Sequence, residues 1–267
     1  MQAIYIALLV NLSYMLTFGF GGVAKLSLRN TTRSAFHRLL KMASFESSKA
    51  ENAGRGRATA SSDTEGGELQ AWRSRIDRSI AKSRKVRGGN YVQIATVDLE
   101  GKPACRTVVF RGFLDLPDKE RPIAMKMITD ARSDKASQIE SNAACEMVWW
   151  FSQSSEQYRF YGNLKLVGPA EADSYLISAR KQQWGNLSDP AREQFYWPPP
   201  GEYSGPAAEV PTGGRDSEGK VLDVPDSFLL MLLVPEQVKY LRLTDNYAQK
   251  DVLSGGGGDW QVQRVNP

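Results

Sequence analysis

The sequence contains very little histidine and cysteine. Among its 267 residues there is one histidine, His37, and there are two cysteines, Cys105 and Cys145. Because His37 precedes Met42, the rest of the chain cannot build a Ser-His-Asp, Cys-His or histidine-rich zinc site. The cysteines lie far apart in strand-like runs without CxxC spacing, so we predict two buried thiols and no metal site. Any chemistry must therefore come from a cofactor or from carboxylate, lysine, tyrosine and arginine side chains.

An excess of basic residues is also absent from most of the chain. Lysine and arginine total 34, against 30 aspartate and glutamate residues. Five of the basic residues and none of the acidic ones precede Met42, which leaves 29 basic residues against all 30 acidic ones. The basic isoelectric point thus comes from the first 41 residues, and it does not indicate a nucleic-acid-binding protein.

The first 67 residues differ in composition from the rest. Residues 3–24 are uncharged and mostly apolar, and residues 25–41 are basic, rich in hydroxyl groups and free of acids, as organellar transit sequences are. We predict a targeting leader over residues 1–41, with a plastid as the expected destination. A membrane anchor, or an extension upstream of a start at Met42 that would leave the protein in the cytoplasm, are the alternatives. Residues 42–67 are polar and rich in Gly, Ser and Ala, which predicts a disordered linker before a folded domain at 68–267.

Short strand-like segments dominate the predicted folded domain. It begins with Leu69, Trp72, Ile76 and Ile80 at helical spacing, which predicts an amphipathic helix. Many short strands at hairpin spacing then indicate a mainly β protein, a barrel rather than a doubly wound sheet. The predicted strands are 91–98, 103–114, 122–129, 144–152, 156–167, 227–234, 238–243, 249–253 and 260–265, with helices over 133–142, 170–181 and 188–195 and a long loop over 197–226.

One stretch, from Cys105 to Ile139, concentrates positive charge around a turn. Two strand-like runs are followed by a polar turn and a helix, at whose start we expect Ser133 to act as the N-cap. Helix N-termini attract anions, and nearby cations make such a corner suitable for a phosphate dianion. The alternative is a solvated basic loop. The cations of this stretch are Arg106, Arg111, Lys126, Arg132 and Lys135. Residues 214–220 resemble the start of a P-loop, but Val221 replaces the required Ser or Thr, so we reject that motif.

Five blocks of the sequence together resemble the pyridoxamine 5'-phosphate oxidase-like proteins, most closely the branch found in plants and cyanobacteria. In chain order the blocks are ATVDLEGKPACRTVVFRGF, TDARSDKASQI, FSQSSEQYRFYGNLKLVG, FLLMLLVPEQVKYLRL and WQVQRVNP. The resemblance implies an antiparallel six-stranded split β-barrel with flanking helices. It also implies a homodimer that binds FMN at the subunit interface.

The same resemblance implies a set of FMN-binding residues. The family's Arg-x-Val-Leu-Leu-Lys strand is similar to Arg106–Arg111, and its Ser-Arg-Lys turn is similar to Ser133–Lys135, with Asp134 in place of the arginine. Arg132 is then expected to reach the phosphate instead, and Gln157 matches a glutamine that bonds the polar edge of the flavin. The residues expected to contact FMN are Arg106, Thr107, Val108, Arg111, Thr129, Arg132, Ser133, Lys135 and Gln157.

The departures from the family pattern concern the substrate. The Arg-x-His pair of authentic oxidases is missing, Leu241 stands near the place of an expected tryptophan, and Lys250 near that of an arginine. The resemblance implies oxidation of pyridoxamine or pyridoxine 5'-phosphate, in which a hydride passes to FMN and dioxygen is reduced to peroxide. The alternative is a flavin- or tetrapyrrole-binding protein without turnover. We assign no catalytic residue, and we expect a small-molecule substrate, no nucleic acid partner and no membrane contact of the folded domain.

Overall fold

The computed structural model describes residues 71–202, 209–255 and 258–267. The predicted leader and linker, residues 1–67, lie outside these ranges, and their boundaries stay predictions. Helix α1 spans Trp72–Ser83, and Trp72 and Ile76 on its apolar face are fully buried. The helical spacing of these residues therefore correctly predicted the first element of the domain.

The described residues contain four α-helices, two short 3-10 helices (Gln194–Tyr196 and Thr212–Gly214) and nine strands. After α1 they are β1 (Tyr91–Val97), β2 (Pro103–Val109), β3 (Phe113–Asp115), β4 (Ile123–Asp130), α2 (Asp134–Ser141), β5 (Ala144–Phe151), β6 (Glu156–Val167), α3 (Ser174–Gly185), α4 (Asp189–Glu193), β7 (Phe228–Arg242), β8 (Tyr247–Leu253) and β9 (Trp260–Val265). All strand pairs are antiparallel. The predicted class, mainly antiparallel β with flanking helices, is confirmed.

The barrel closes because β2 and β3 behave as one bent strand. The sheet order is β2-β1-β5-β6-β7-β4-β3. Between β2 and β3, the Arg111 N–H donates to the Lys126 carbonyl and the Lys126 N–H donates to the Gly112 carbonyl, both at 2.8 Å. Gly112 has a φ of +111°, which a residue without a Cβ adopts easily, and this permits the bend. Counted as one strand, β2–β3 joins β1 to β4 and gives the six-stranded barrel, onto which β8 and β9 are added.

Strand β7 differs from its prediction. The sequence predicted two strands, over 227–234 and 238–243, but the structure has one 15-residue strand. Its first part pairs with β4 and its last part with β8, while β6 pairs with it from Leu230 to Arg242. Pro235 is accommodated because the register shifts between Tyr161 and Gly162, at the point where Gly162 faces Pro235. A Cβ on Gly162 would collide with the carbonyl oxygen of Val234, so the backbones approach closely here.

The barrel interior is filled with aromatic side chains. Trp72 of α1 packs edge-on against Phe160 of β6, with ring centroids 5.3 Å apart, and Trp149 of β5 stacks on Phe151 at 4.8 Å. A second apolar layer lies between the sheet and α3, which buries Leu176 and Ala179. Helix α3 runs four residues later than predicted, because Asp173 caps it by accepting a hydrogen bond from the Tyr175 N–H at 2.8 Å.

The two cysteines are free, but only one of them is buried. Cys145 on β5 is 2% exposed, and burial raises the pKa of its thiol to about 12. Cys105 on β2 is exposed, so the prediction of two buried thiols is wrong for this residue. The physical reason is that β2 exposes alternate side chains, and Cys105 falls on its solvent side between Ala104 and Arg106. Over the ranges described here, no helix has the length and apolar character needed to cross a membrane.

Candidate functional site

A cleft of about 480 Å³ lies where β2, β4 and the start of α2 meet the segment after α4. We call it the Lys135 cleft. Four of the nine residues predicted to bind FMN line it, namely Val108, Arg111, Thr129 and Lys135. The strands supply them because β2 bends towards β4 at Gly112, which brings Val108 and Arg111 beside the end of β4.

Lys135 stands at the start of α2 beside two buried hydroxyl groups. Its Nζ donates to Ser133 Oγ at 3.2 Å, and Ser133 Oγ lies 3.1 Å from Thr129 Oγ1. Burial lowers the pKa of the Lys135 amine from its ordinary value, and the nearby positive charge of Arg106 lowers it further. Asp130 and Asp134 act in the opposite direction, without an ion pair to Lys135 in the described ranges. The cleft thus holds a partly desolvated ammonium group without a bound carboxylate.

Ser133 occupies the N-cap position of α2, yet it does not cap the helix. Its backbone is extended there, but its hydroxyl donates to the Asp130 carbonyl at 2.7 Å instead of accepting from a first-turn N–H. The predicted role of the hydroxyl is therefore wrong, because the carbonyl at the end of β4 is the nearer partner. The consequence is that no side chain caps the N-terminus of α2, and the positive end of its dipole borders the cleft.

Arg111 provides a second cation with unused donor capacity. Its Nε is buried and donates no hydrogen bond to any part of the chain that the structure describes. Burial also lowers the pKa of its guanidinium from the ordinary value, an effect that nearby Tyr91 partly offsets. A buried donor without a partner lowers the stability of the fold, and an anionic ligand that accepted a hydrogen bond from Arg111 would remove this cost.

Arg106 is placed close to this corner but is already engaged. Its guanidinium donates from Nη2 to Gln138 Oε1 at 2.9 Å and from Nη1 to Thr96 Oγ1 at 2.5 Å. A further bond from Nη1 reaches the Ala104 carbonyl at 2.7 Å. Arg106 does not line the Lys135 cleft, although its positive charge lowers the pKa of Lys135. Its predicted contact with FMN stays a prediction, and its observed contacts join β2 to β1 and to α2.

Arg132 has an unexpected set of partners. Its Nε donates to Asp130 Oδ1 at 2.9 Å and its Nη2 to Asp130 Oδ2 at 2.7 Å, a bidentate pair. Its guanidinium also donates to the carbonyls of Phe195 and Trp197, at 3.3 and 2.9 Å. These contacts fasten the segment after α4 to the turn before α2. The sequence suggested a phosphate ligand at this position, whereas the observed geometry is that of a support for the cleft wall.

That wall contains residues that the sequence did not single out. Trp197, Pro198 and Pro200 belong to the predicted long loop, but they line the Lys135 cleft together with Phe195. Trp197 remains 46% exposed. The proline run was read only as a signal for a loop, since nothing local indicates which side of the domain it covers. Thr107, by contrast, is exposed on β2 and does not line the cleft.

Gln157 lies in a different place from the other predicted residues. It lines a second cleft, of about 420 Å³, formed by β6, β7, β8 and the last residues of the chain. We call this the Lys250 cleft. In the barrel order, β6 is three strands away from the bent β2–β3 strand in either direction. Within one chain, therefore, Gln157 and Arg111 lie on opposite sides of the barrel.

Comparison with known proteins identifies a matching family and several relatives of this chain. Residues 69–168 match the family described as the pyridoxamine 5'-phosphate oxidase FMN-binding domain. Pyridoxine/pyridoxamine 5'-phosphate oxidase 2 of Arabidopsis thaliana is 30% identical over 210 residues, which are 76% of this chain and 100% of the relative. Pyridoxine/pyridoxamine 5'-phosphate oxidase of Thermosynechococcus vestitus is 29% identical over 97 residues, 36% of this chain and 43% of the relative.

Solved structures agree with the sequence comparison. A pyridoxamine 5'-phosphate oxidase-related, FMN-binding protein from Nostoc punctiforme is 32% identical, with a TM-score of 0.64 over 75% of this chain and 100% of that one. PhzG from Burkholderia lata, solved with tetrahydrophenazine-1-carboxylic acid, is 16% identical with a TM-score of 0.53, over 73% and 91% of the two chains. The second similarity is one of fold alone.

Proposed function

Because the chain belongs to the pyridoxamine 5'-phosphate oxidase family of FMN-binding proteins, we propose that it is an FMN-dependent oxidoreductase acting on pyridoxamine or pyridoxine 5'-phosphate or on a related substrate. The observation that carries the proposal is the pair of cations in the Lys135 cleft. Lys135 and Arg111 are both partly buried, and neither is neutralised by a carboxylate in the described part of the chain.

The residues present fit the phosphate end of FMN. A phosphate dianion requires cations and hydrogen-bond donors, and the cleft offers Lys135, the orphaned Nε of Arg111 and the uncapped start of α2. Ser133 and Thr129 place hydroxyl groups beside the ammonium group. In this proposal Lys135 and Arg111 bind the phosphate, and the hydroxyls hold Lys135 in position.

The remainder of the cleft fits a flat, apolar ring. Val108, Ile128, Phe195 and Trp197 give it aliphatic and aromatic walls, which would exclude water from a bound flavin. FMN, when bound, supplies the two-electron redox chemistry, and the protein supplies binding and orientation. Arg132 would act indirectly, by holding Trp197 against the cleft.

We further propose that the active form is a homodimer. Gln157 and Arg111 lie on opposite sides of one barrel, so a single FMN would contact both kinds of residue only between two copies of the chain. Exposed aromatic residues support this, since Trp150 on β5 is 43% exposed and Tyr161 on β6 is 48% exposed. In such a dimer, Gln157 of a second copy would orient the polar edge of the flavin.

One observation favours a second candidate function, a flavin- or tetrapyrrole-binding protein without turnover. The chain has no histidine after His37, so the Arg-x-His pair implied by the resemblance cannot be formed. The substrate side of the site therefore departs from the family more than the cofactor side does, and a binding role without oxidase activity follows from that departure.

A single assay separates the two functions. The full-length chain is purified, its visible absorption spectrum is recorded, and it is then incubated with FMN, pyridoxamine 5'-phosphate and dioxygen. The oxidase proposal predicts a flavin spectrum and the steady formation of pyridoxal 5'-phosphate and peroxide in equal amounts. A flavin spectrum without either product favours the binding protein. Absence of flavin binding, with Arg111→Met indistinguishable from the unmodified chain, contradicts the oxidase and any other flavin-binding role.

A further inference from the structure

Three positively charged side chains form a row across three neighbouring strands in the Lys250 cleft. Arg159 on β6 is the direct cross-strand partner of Lys239 on β7, and Lys239 is the direct partner of Lys250 on β8. All three side chains line the cleft. Residues directly opposite each other in antiparallel strands share a face of the sheet, so the three charges lie side by side.

This arrangement lowers the stability of the sheet unless a negatively charged group lies next to the three cations. Like charges directly opposite each other in a sheet destabilise it, and here the repulsion occurs twice in succession. Arg159 is partly neutralised by Glu146, whose Oε1 lies 2.6 Å from its Nε. Lys239 and Lys250 have no carboxylate within ion-pair distance in the described ranges. Further along the row, the partner of Lys250 is the neutral Gln263 on β9.

We propose that the Lys250 cleft binds a small organic polyanion through Arg159, Lys239 and Lys250. Adjacent strands are about 4.8 Å apart, so the row extends over about 10 Å. One phosphate group is too short to contact all three cations, whereas two linked anionic groups, as in a diphosphate or a phosphorylated carboxylate, match that length. The volume of about 420 Å³ suits a small molecule rather than a macromolecular segment.

The polar side chain of Gln249, at the floor of the cleft, is already engaged within the protein. Gln249 is fully buried, and its Oε1 accepts hydrogen bonds from Arg75 at 3.0 Å and from the Tyr247 hydroxyl at 2.9 Å. The floor is therefore rigid and its polar groups are already satisfied. Recognition of a ligand falls to the row of cations above it and to Gln157 beside it.

This inference deepens the proposed function and rests on it in one respect, namely that the polyanion is a related substrate with two anionic groups, since pyridoxamine 5'-phosphate has a single phosphate. If FMN lies between two copies of the chain, the row stands beside the flavin edge that Gln157 contacts. It would select substrates by their negative charge, in place of the missing Arg-x-His pair. The binding of an anion to the row, however, does not require FMN.

The test uses inorganic pyrophosphate and the full-length chain. Isothermal titration calorimetry is performed on FMN-saturated protein, and also on FMN-free protein carrying Lys135→Ala, in which the cleft proposed for FMN is disabled. We expect saturable binding of pyrophosphate in both, with inorganic phosphate binding about tenfold more weakly because it contacts fewer cations. Lys239→Gln and Lys250→Gln should each weaken pyrophosphate binding about fivefold.

Lys102→Gln is the matched control, since Lys102 is an exposed lysine in the β1–β2 turn. It should leave pyrophosphate binding unchanged. Lys239→Gln should also keep or raise the melting temperature of the ligand-free protein, because it removes a repulsion. Absence of saturable binding, an equal loss in the Lys102 control, or a lower melting temperature for Lys239→Gln would each overturn the proposal. Pyrophosphate binding without FMN binding would leave the row intact and reject only the flavin function.

Discussion

Arg106 on β2 and Gln138 on α2 are joined by a hydrogen bond of 2.9 Å from the guanidinium Nη2 to the amide Oε1. Through this bond, and through Thr96 of β1, which accepts from Arg106 and donates to Gln138, the strand that lines the Lys135 cleft is attached to the helix that carries Lys135. The resemblance implied that Arg106 helps to hold the phosphate and ribityl chain of FMN, and the structure gives it a contact within the protein. The two roles lead to different mutational results.

If Arg106 contacts the phosphate, Arg106→Ala should weaken FMN binding by about 1.5–3 kcal/mol, the usual contribution of a charge-assisted hydrogen bond. Gln138→Ala should then change FMN affinity less than threefold, since it leaves the charge of Arg106 in place. Quenching of flavin fluorescence on titration with protein measures both affinities. Equal losses in the two variants would show instead that Arg106 only positions α2.

The alkaline pH dependence of FMN binding should report on Lys135. Its pKa in the free protein is lowered, mainly by burial and also by Arg106, and a bound phosphate would raise it. Binding then takes up a proton, so affinity should be constant near neutral pH and should fall as the pH rises through the lowered pKa. The folding stability should show the opposite sign, rising with pH over the window between the lowered pKa and the unfolded value.

The control for this effect is Lys135→Arg, which retains its charge over the whole range. Its FMN affinity, measured by fluorescence from pH 7 to pH 10, should lose the alkaline decline. If the decline persists unchanged in Lys135→Arg, another group is responsible and Lys135 is not a phosphate ligand.

Gly162→Ala should destabilise the barrel. The added Cβ collides with the Val234 carbonyl where β6 and β7 change register, and neither backbone can move without disturbing the central strand pair. We expect a loss of about 1–3 kcal/mol in the free energy of unfolding, measured by denaturant titration. Gly185→Ala is the matched control, because a Cβ there meets nothing within 4 Å and the residue ends α3. It should be neutral or slightly stabilising.

Trp150→Glu should dissociate the proposed homodimer. Trp150 is an exposed aromatic on β5 and the direct cross-strand partner of Gln157, so it borders the face that a second copy is proposed to cover. Sedimentation velocity should show a shift from dimer to monomer, accompanied by weaker FMN binding. Leu99→Glu, at an 80% exposed apolar residue in the β1–β2 turn, should change neither. A dimer that survives Trp150→Glu with full FMN affinity would place the interface elsewhere.

The sequence predicted those parts of the fold that depend on local patterns. The hairpin between β1 and β2 follows from its turn, in which Asp98 Oδ1 accepts hydrogen bonds from the Glu100 and Lys102 N–H groups and Gly101 has a φ of +78°. Strand β7 was divided in the prediction because proline normally ends a strand, and only the partner strand with its glycine allows Pro235 to remain within it.

The candidate site was predictable only where its residues are close in sequence. Ser133 and Lys135 stand on one turn, and their proximity to Thr129 follows from chain continuity. The apolar wall around Trp197 comes from a segment more than sixty residues away, which long-range contacts with Arg132 hold in place. The row of cations in the Lys250 cleft could not be predicted from the sequence for the same reason, since the register across three strands decides which charged residues are neighbours.

The undivided length of β7 has a mechanical consequence. Near its start, Leu229 and Leu230 pair with Thr129 and Ile128, two residues of the Lys135 cleft, and ten residues later Lys239 enters the other cleft. At about 3.3 Å per residue, an uninterrupted stretch of strand about 33 Å long connects the two clefts. Because no loop interrupts this strand, it fixes the distance between the two clefts. A displacement of the backbone at one cleft would therefore be transmitted along β7 to the other.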